Sequence, residues 1–116
     1  MKKIYYLANC DTCQAILKEV EAVKKGTALQ DIKTYPITTK QLDEMKKLAG
    51  SYEALFSRTT LKYRAMGLHE KQLTENDYRR LILQEYTFLK RPVAIINSKI
   101  FIGNTKDVVA ALKKAL

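Results

Sequence analysis

Near the N-terminus the chain reads Ile4-Tyr5-Tyr6-Leu7-Ala8-Asn9-Cys10-Asp11-Thr12-Cys13, and this stretch decides the fold. The apolar, partly aromatic run Lys3–Leu7 predicts a buried strand. After the second cysteine, Ile16, Val20 and Val23 recur at the i, i+4, i+7 spacing of a helix. The two cysteines, which are the only ones in the chain, therefore fall where a strand ends and a helix begins.

This position gives Cys10 a chemical reason to be reactive. The N–H groups of a helix N-terminus have no intrahelical partner, so they stabilise a nearby thiolate and lower the pKa of the thiol. Cys13, one helical turn later, can attack a bond formed at Cys10 and close a disulfide. The alternative is a pair of small buried residues with inert thiols; because both fall at the junction, we favour the reactive interpretation.

A zinc site is the other common use of a Cys-x-x-Cys pair. Such a site needs three or four ligands. The chain offers two cysteines and a single histidine, His69, in a different region that reads as a solvated loop. We therefore expect no metal site.

Length and composition are those of one folded domain. The 116 residues are 47% hydrophobic, which is enough for a core. The net charge of +9 comes from basic residues that are spread along the chain, as in Lys24-Lys25 and Arg79-Arg80, and this spread is typical of solvated helix faces. Aromatic and basic residues are not interleaved, so we expect no direct binding of nucleic acid.

The chain carries no signal for a membrane. No segment approaches the ~20 apolar residues of a membrane span. The apolar run Ile4–Ala8 is shorter than the roughly 7–15 residues of a signal-peptide core. We expect a cytoplasmic protein, and in that compartment a close pair of cysteines is more often redox-active or metal-binding than structural.

The remaining pattern predicts the order βαβ, then three or four helices, then ββα. The predicted elements are a strand Lys3–Leu7, a helix Thr12–Lys25, a strand Leu29–Tyr35, a helix capped by Thr38 or Thr39 and running to Leu48, short helices Tyr52–Phe56 and Lys62–Met66, a helix capped by Thr74 and running to Tyr86, strands Val93–Ile96 and Lys99–Ile102, and a last helix capped by Thr105.

Without the middle helices, this order is that of a thioredoxin-like core. We therefore predict an α/β fold with a thioredoxin-like core (βαβ–ββα) and a helical insertion between its two halves. In this prediction residues 1–116 form a single domain. Its core covers about residues 1–37 and 87–116, and its insertion covers about residues 38–86.

Two further places are candidates for the site. Arg91-Pro92 opens the third strand, where thioredoxin-like folds place a cis-proline beside the reactive thiol, and an arginine just before it could reach the same pocket. Arg58 stands in the polar turn after Leu55-Phe56, and guanidinium groups bind oxyanions with fixed geometry. The alternative for Arg91-Pro92 is an ordinary proline at the start of a strand, preceded by a surface arginine. The alternative for Arg58 is a surface arginine with no ligand.

Together these residues resemble the arsenate reductase-like family, which also contains the Spx transcriptional regulators. The resemblance covers nearly the whole chain. Its motifs are Tyr6-Leu7-Ala8-Asn9-Cys10-Asp11-Thr12-Cys13, Phe56-Ser57-Arg58-Thr59, Tyr63-Arg64-Ala65-Met66-Gly67-Leu68, Phe88-Leu89-Lys90-Arg91-Pro92-Val93 and Ile102-Gly103.

For the reductases, the resemblance implies that Cys10 is the nucleophile toward arsenate and that Arg58 and Arg91 hold the oxyanion. No cofactor is bound, and an external thiol reductant, glutathione with glutaredoxin or thioredoxin, discharges the adduct. The regulators instead use the cysteine pair as a disulfide switch and bind the C-terminal domain of the RNA polymerase α-subunit. Cys13 is typical of the regulators, and Asn104 stands where the reductases have a further arginine.

Two hypotheses follow. In the first, the chain is a monomeric enzyme that acts on a small oxyanion or a disulfide, with Cys10 attacking, Cys13 resolving, Pro92 shaping the site, and a redox partner protein restoring the thiols. In the second, it is an Spx-like redox switch on the RNA polymerase α-subunit. General thiol–disulfide exchange is a third, less specific function.

Overall fold

Four strands and five helices follow one another in the computed structural model, which describes all 116 residues. They are β1 (Lys2–Tyr6), α1 (Asp11–Glu19), β2 (Ala28–Asp31), α2 (Thr39–Ala49), α3 (Leu61–Ala65), α4 (Glu75–Gln84), β3 (Val93–Ile96), β4 (Lys99–Ile102) and α5 (Lys106–Ala115). Short 3₁₀ turns occupy Glu53–Leu55, Leu68–Glu70 and Tyr86–Phe88. The predicted α/β class and the order βαβ–ββα around a helical segment are confirmed. None of the helices reaches the length and hydrophobicity that crossing a membrane requires.

The sheet has the strand order β2-β1-β3-β4. β1 runs parallel to β2 and antiparallel to β3, so that Ile4 lies opposite Leu29 on one side and Ala94 on the other. β4 pairs antiparallel with β3. β1 is thus one of the two inner strands, and the chain leaves its end directly toward Cys10.

One face of this sheet is covered by α1 and α5. The buried cluster there joins both helices to the two inner strands, and its members are Ile4, Ile16, Leu17, Val20, Ala22, Ala94, Ile96, Val109 and Leu112. Burial of a large aliphatic side chain contributes about 1.5–3 kcal/mol. The cluster therefore fixes the start of α1 relative to the end of β1.

The contacts divide the chain into two compact units, which are residues 1–36 with 91–116 and residues 37–90. The second unit has its own aromatic centre. The Phe56 ring stacks on Phe88 at a centroid distance of 5.1 Å and packs against Tyr78 at 4.8 Å and Tyr63 at 6.1 Å. Phe56 also pairs through its backbone with Leu89.

α1 ends at Glu19, and the prediction that it continues to Lys25 is wrong. Glu21 has a left-handed φ of 55°, and the N–H of Ala22 bonds to the carbonyl of Leu17 at 3.1 Å, the pattern of a Schellman cap. This turn buries Ala22 completely and leaves Val23 75% exposed, although the helical spacing predicted Val23 on the inward face.

β2 also ends earlier than predicted, at Asp31 instead of Tyr35. The Asp31 carboxylate accepts hydrogen bonds from the Lys33 N–H (3.2 Å) and the Thr34 hydroxyl (3.0 Å), which closes a turn directly after the strand. Ile32 is buried, but Tyr35, the last residue of the predicted strand, is 68% exposed. β1 lies one residue earlier than predicted, and α4 ends at Gln84, before a 3₁₀ turn that begins at Tyr86.

The predicted helix caps and the predicted strands Val93–Ile96 and Lys99–Ile102 are confirmed. Thr38 and Thr74 each form a capping box, with Gln41 and Asp77 respectively. β3 and β4 have the predicted bounds. Local turn chemistry sets these bounds, since Asn97 at the turn of the hairpin adopts a left-handed φ of 59°.

Candidate active site

Cys10 occupies the N-cap position of α1. Its backbone is extended, with φ −107° and ψ 114°, and its carbonyl accepts the N–H of Gln14 at 3.1 Å. A residue at this position lies beside the N–H groups of the first turn, which have no partner within the helix. The predicted strand-to-helix placement of the first cysteine is therefore confirmed.

Four neighbouring groups favour the thiolate of Cys10. Partial burial opposes ionisation and is the largest single influence. The N–H groups of Cys13 and Thr12, the Cys13 thiol and the positive charge of Arg91 act in the opposite direction. Together they bring the pKa of Cys10 below the ordinary value of a thiol.

Cys13 has the opposite environment. Only 1% of its surface is exposed. Burial, and after it the neighbouring Cys10, raise the pKa of Cys13 to about 11, although a hydrogen bond from the Leu7 backbone and the charge of Arg91 oppose the rise. Both cysteines are free thiols. The chain thus holds a partly buried thiol, Cys10, whose pKa is lowered, beside a buried thiol, Cys13, that stays protonated at neutral pH.

Arg91 and Pro92 lie at the start of β3, beside the end of β1. The Arg91-Pro92 peptide bond is cis, and the Pro92 carbonyl accepts the N–H of Gly103 at 2.9 Å. Val93, which follows, pairs with Tyr5 of β1. The charge of Arg91 favours the thiolate of both cysteines. The structure therefore brings Cys10, Cys13 and Arg91 together.

Arg58 lies in the second unit, where its guanidinium is already engaged. Its Nη2 donates to a Glu53 carboxylate oxygen at 2.7 Å and to the Tyr78 hydroxyl at 2.8 Å. The guanidinium carbon is 5.5 Å from the centre of the Tyr78 ring and 6.0 Å from that of Phe56. The side chain remains 43% exposed.

The loop before Cys10 is held by two residues that the sequence did not single out. The N–H of Ala8 donates to Asp31, at the end of β2, and its carbonyl accepts from the side-chain amide of Gln14 in α1. An aspartate at the end of a strand is a known turn signal, but nothing local in the sequence links it to a loop 23 residues earlier.

A groove of about 510 Å³ runs between α1 and α5. Thr12, Asn104 and Lys106 line it, together with apolar residues of both helices. His69 lies elsewhere, with its Nε2 at 3.7 Å from Glu70. No group of three or more His, Cys, Asp or Glu side chains is placed to hold a metal ion.

Comparison with known proteins identifies a family that matches nearly the whole chain. The model of the ArsC family matches residues 5–112. No curated protein was similar enough in sequence to count as a match.

Solved structures share the fold over nearly their whole length. An arsenate reductase from Vibrio cholerae is 14% identical with a TM-score of 0.80, and the alignment covers 99% of this chain and 97% of that one. For the SACOL0876 protein of Staphylococcus aureus the identity is 26%, the TM-score 0.73 and the coverage 96% and 97%. An arsenate reductase-related protein from Brucella melitensis is 23% identical with a TM-score of 0.73, covering 95% and 92%. The fold is thus the thioredoxin-like one of these neighbours.

Proposed function

The chain belongs to the ArsC family, and on that premise we propose that it is a thiol-dependent oxidoreductase of the arsenate reductase kind, with Cys10 as nucleophile and Cys13 as resolving thiol. The family and the fold support the general kind of activity. The observation that carries the two roles is the contrast between the thiols: the pKa of Cys10 is lowered and that of Cys13 is raised to about 11.

The proposed reaction begins at Cys10. Its thiolate attacks the arsenic atom of arsenate, a sulfur–arsenic bond forms, and one oxygen leaves as water after taking up protons from solvent. Cys13 then passes its proton to an oxygen of the departing arsenic group and attacks the Cys10 sulfur. The sulfur–sulfur bond forms, the sulfur–arsenic bond breaks with its electron pair kept by arsenic, and arsenic(V) leaves as arsenite, arsenic(III).

The thiols are then restored from outside. Two electrons from an external thiol reductant, glutathione with glutaredoxin or thioredoxin, reduce the Cys10–Cys13 disulfide. This requires no bound cofactor. We propose that the protein works as a cytoplasmic monomer.

Arg91 and Arg58 are the proposed ligands of the oxyanion, with Pro92 shaping the site. For Arg91 the support is its charge, which acts on both thiols and would also attract an anion to them. For Arg58 the support is chemical: it already binds a carboxylate through Nη2.

An Spx-like switch is the second candidate, and one observation favours it. The Cys13 thiol hydrogen-bonds to the Cys10 sulfur, so the two sulfurs that would form the disulfide are direct neighbours. In this function the disulfide would form on oxidation and alter binding to the C-terminal domain of the RNA polymerase α-subunit. A pull-down with that domain, run on oxidised and on reduced protein, separates the candidates, since a reductase requires no such binding.

The enzyme is tested by arsenate-dependent oxidation of NADPH, coupled through glutathione and glutaredoxin or through thioredoxin. We expect turnover in the wild type and none in Cys10→Ser. Cys13→Ser should lose the thioredoxin-coupled activity, because its adduct cannot be resolved within the chain. Failure of the wild type with both reductants contradicts arsenate reduction.

A further inference from the structure

Ala8 lies in an exposed loop, yet both of its backbone groups are bonded by side chains from other elements. Its N–H donates to Oδ1 of Asp31 at 3.3 Å, and its carbonyl accepts from Nε2 of Gln14 at 3.0 Å. Backbone groups of exposed loops can bond to water instead. The loop between β1 and α1 is thus tied on one side to β2 and on the other side to α1.

The sheet register explains why Asp31 reaches this loop. β1 and β2 are parallel, Tyr6 pairs with Asp31, and the N–H of Ile32 bonds to the Tyr6 carbonyl at 2.9 Å. Asp31 therefore stands beside the last residue of β1, where the chain turns toward Cys10. Its carboxylate accepts the N–H of Ala8 from this position.

The Asp31 carboxylate stays ionised at neutral pH. Slight burial opposes ionisation, but hydrogen bonds from the N–H groups of Ala8 and Lys33 and from the Thr34 hydroxyl lower the pKa of Asp31. The same carboxylate thus has two tasks, which are to close its own turn and to hold Ala8. These tasks can be separated by mutation because different partners serve them.

The loop carries Cys10 at its end. The N–H of Cys10 bonds to the Leu7 carbonyl at 3.1 Å, so Ala8 and Asn9 form a tight turn between them. A displacement of Ala8 is passed directly to Cys10, two residues later. The Cys10 sulfur would then move away from the N–H groups of Thr12 and Cys13 that stabilise its thiolate.

We propose that Asp31 is a positioning residue for Cys10, which holds the β1–α1 loop so that the Cys10 sulfur stays beside the N–H groups of the first turn of α1. The proposal rests on the proposed function, in which Cys10 is the nucleophile. Gln14 supports the same loop from the opposite side.

The sign of one measurement separates this role from simple electrostatics. Asp31 carries a negative charge, so its removal would lower the pKa of Cys10 if charge were its only effect. If Asp31 instead positions the loop, its removal raises the pKa of Cys10, because the thiolate loses its N–H donors.

The test compares Asp31→Ala, Asp31→Asn and Thr34→Val with the wild type. The asparagine keeps an oxygen for the Ala8 N–H without the charge. Thr34→Val disturbs the same turn but leaves the contact with Ala8. Alkylation of Cys10 by iodoacetamide is followed against pH, and hydrogen exchange of the Ala8 amide is followed by NMR.

In Asp31→Ala we expect the alkylation midpoint to rise by about half a pKa unit or more, which is roughly a threefold change in the ionisation constant. Exchange of the Ala8 amide should become faster by roughly tenfold or more, as expected when a local hydrogen bond opens freely. Asp31→Asn and Thr34→Val should stay near the wild type in both measurements.

An alkylation midpoint of Cys10 that falls or stays unchanged in Asp31→Ala overturns the proposal. A rise of the same size in Thr34→Val also overturns it. A wild-type Cys10 with an ordinary thiol pKa would instead contradict the proposed function. In that event the exchange rate of the Ala8 amide still decides whether Asp31 holds the loop, since this rate does not depend on the reactivity of Cys10. An unchanged exchange rate in a folded Asp31→Ala variant shows that Asp31 does not hold the loop.

Discussion

A Glu53 carboxylate oxygen lies 2.7 Å from Nη2 of Arg58, so the arginine that the sequence marks for an oxyanion already holds an anion. The Tyr78 hydroxyl accepts from the same nitrogen at 2.8 Å. Nη2 has two hydrogens and belongs to both bidentate edges of a guanidinium. An incoming oxyanion can therefore use an edge of Arg58 fully only after one of these partners is released.

This competition predicts the effect of Glu53→Gln. Because a neutral amide competes for the guanidinium less strongly than a carboxylate, the variant should bind an oxyanion more tightly. We expect the KM for arsenate to fall by roughly two- to tenfold, the range of one charge-assisted hydrogen bond at a partly exposed site. Steady-state kinetics of the NADPH-coupled arsenate reduction measure this KM.

Glu70→Gln is the matched control for this variant. Glu70 is also an exposed glutamate of the second unit, but it lies beside His69 and not beside Arg58. The control should leave KM unchanged. A KM that stays constant or rises in Glu53→Gln would mean that Arg58 serves the fold of its unit and not the substrate.

The contrast between the two thiols predicts which adduct accumulates. In Cys13→Ser, a mixed disulfide formed at Cys10 with glutathione disulfide has no neighbouring thiol to resolve it, so it should persist. In the wild type it should give way to the Cys10–Cys13 disulfide, which adds no mass from glutathione. Intact mass spectrometry after mixing distinguishes the two products.

Cys10→Ser serves as the control, since Cys13 is buried and protonated at neutral pH and should form almost no adduct. Equal persistence of the mixed disulfide in the wild type and in Cys13→Ser would remove the resolving role of Cys13.

The second unit contains an ion pair whose contribution depends on pH. Asp43 accepts two hydrogen bonds from Arg79 (2.9 and 3.2 Å) and one from the Tyr52 hydroxyl (2.5 Å). The hydrogen bonds of Arg79, and then that of Tyr52, lower the pKa of Asp43 to about 2. Since the folded-state pKa is below that of the unfolded chain, this stabilisation is complete above the ordinary aspartate pKa and is lost as the pH falls toward 2.

We therefore predict that Asp43→Asn flattens the acid side of the stability profile. Between about pH 4 and pH 2 the urea midpoint of the variant should fall less steeply than that of the wild type. Glu44→Gln, a change of the neighbouring carboxylate, should keep the wild-type slope. Parallel profiles for the wild type and Asp43→Asn would show that the carboxylate does not contribute through its charge.

The sequence predicts those parts of the fold that local chemistry determines. The junction at Cys10 follows from an apolar run beside a helical pattern, and the bounds of β3 and β4 follow from the turn at Asn97. The end of α1 does not, because the left-handed turn at Glu21 is favoured by the burial of Ala22 in the core of its unit. That burial depends on tertiary packing, which a helical period cannot reveal.

In the candidate site, too, local sequence predicts some features, and others depend on tertiary structure. The lowered pKa of Cys10 could be expected from its place at a helix start. The contact between Asp31 and Ala8 could not, since it requires the parallel register that sets Asp31 beside Tyr6. The pairing of Arg58 with Glu53 was likewise hidden, because Glu53 lies in a 3₁₀ turn whose orientation is held by Glu75, which accepts the N–H groups of Tyr52 and Glu53.

The account depends most on the thiolate of Cys10, and the pH dependence of its alkylation tests this directly. Cys13, with a pKa of about 11, does not compete in the neutral range. We predict a midpoint for Cys10 below the ordinary thiol value of ~8.5 in the wild type and a higher midpoint in Arg91→Ala, because the charge of Arg91 favours the thiolate. A wild-type midpoint at or above ~8.5 would contradict the central claim that Cys10 is an activated nucleophile.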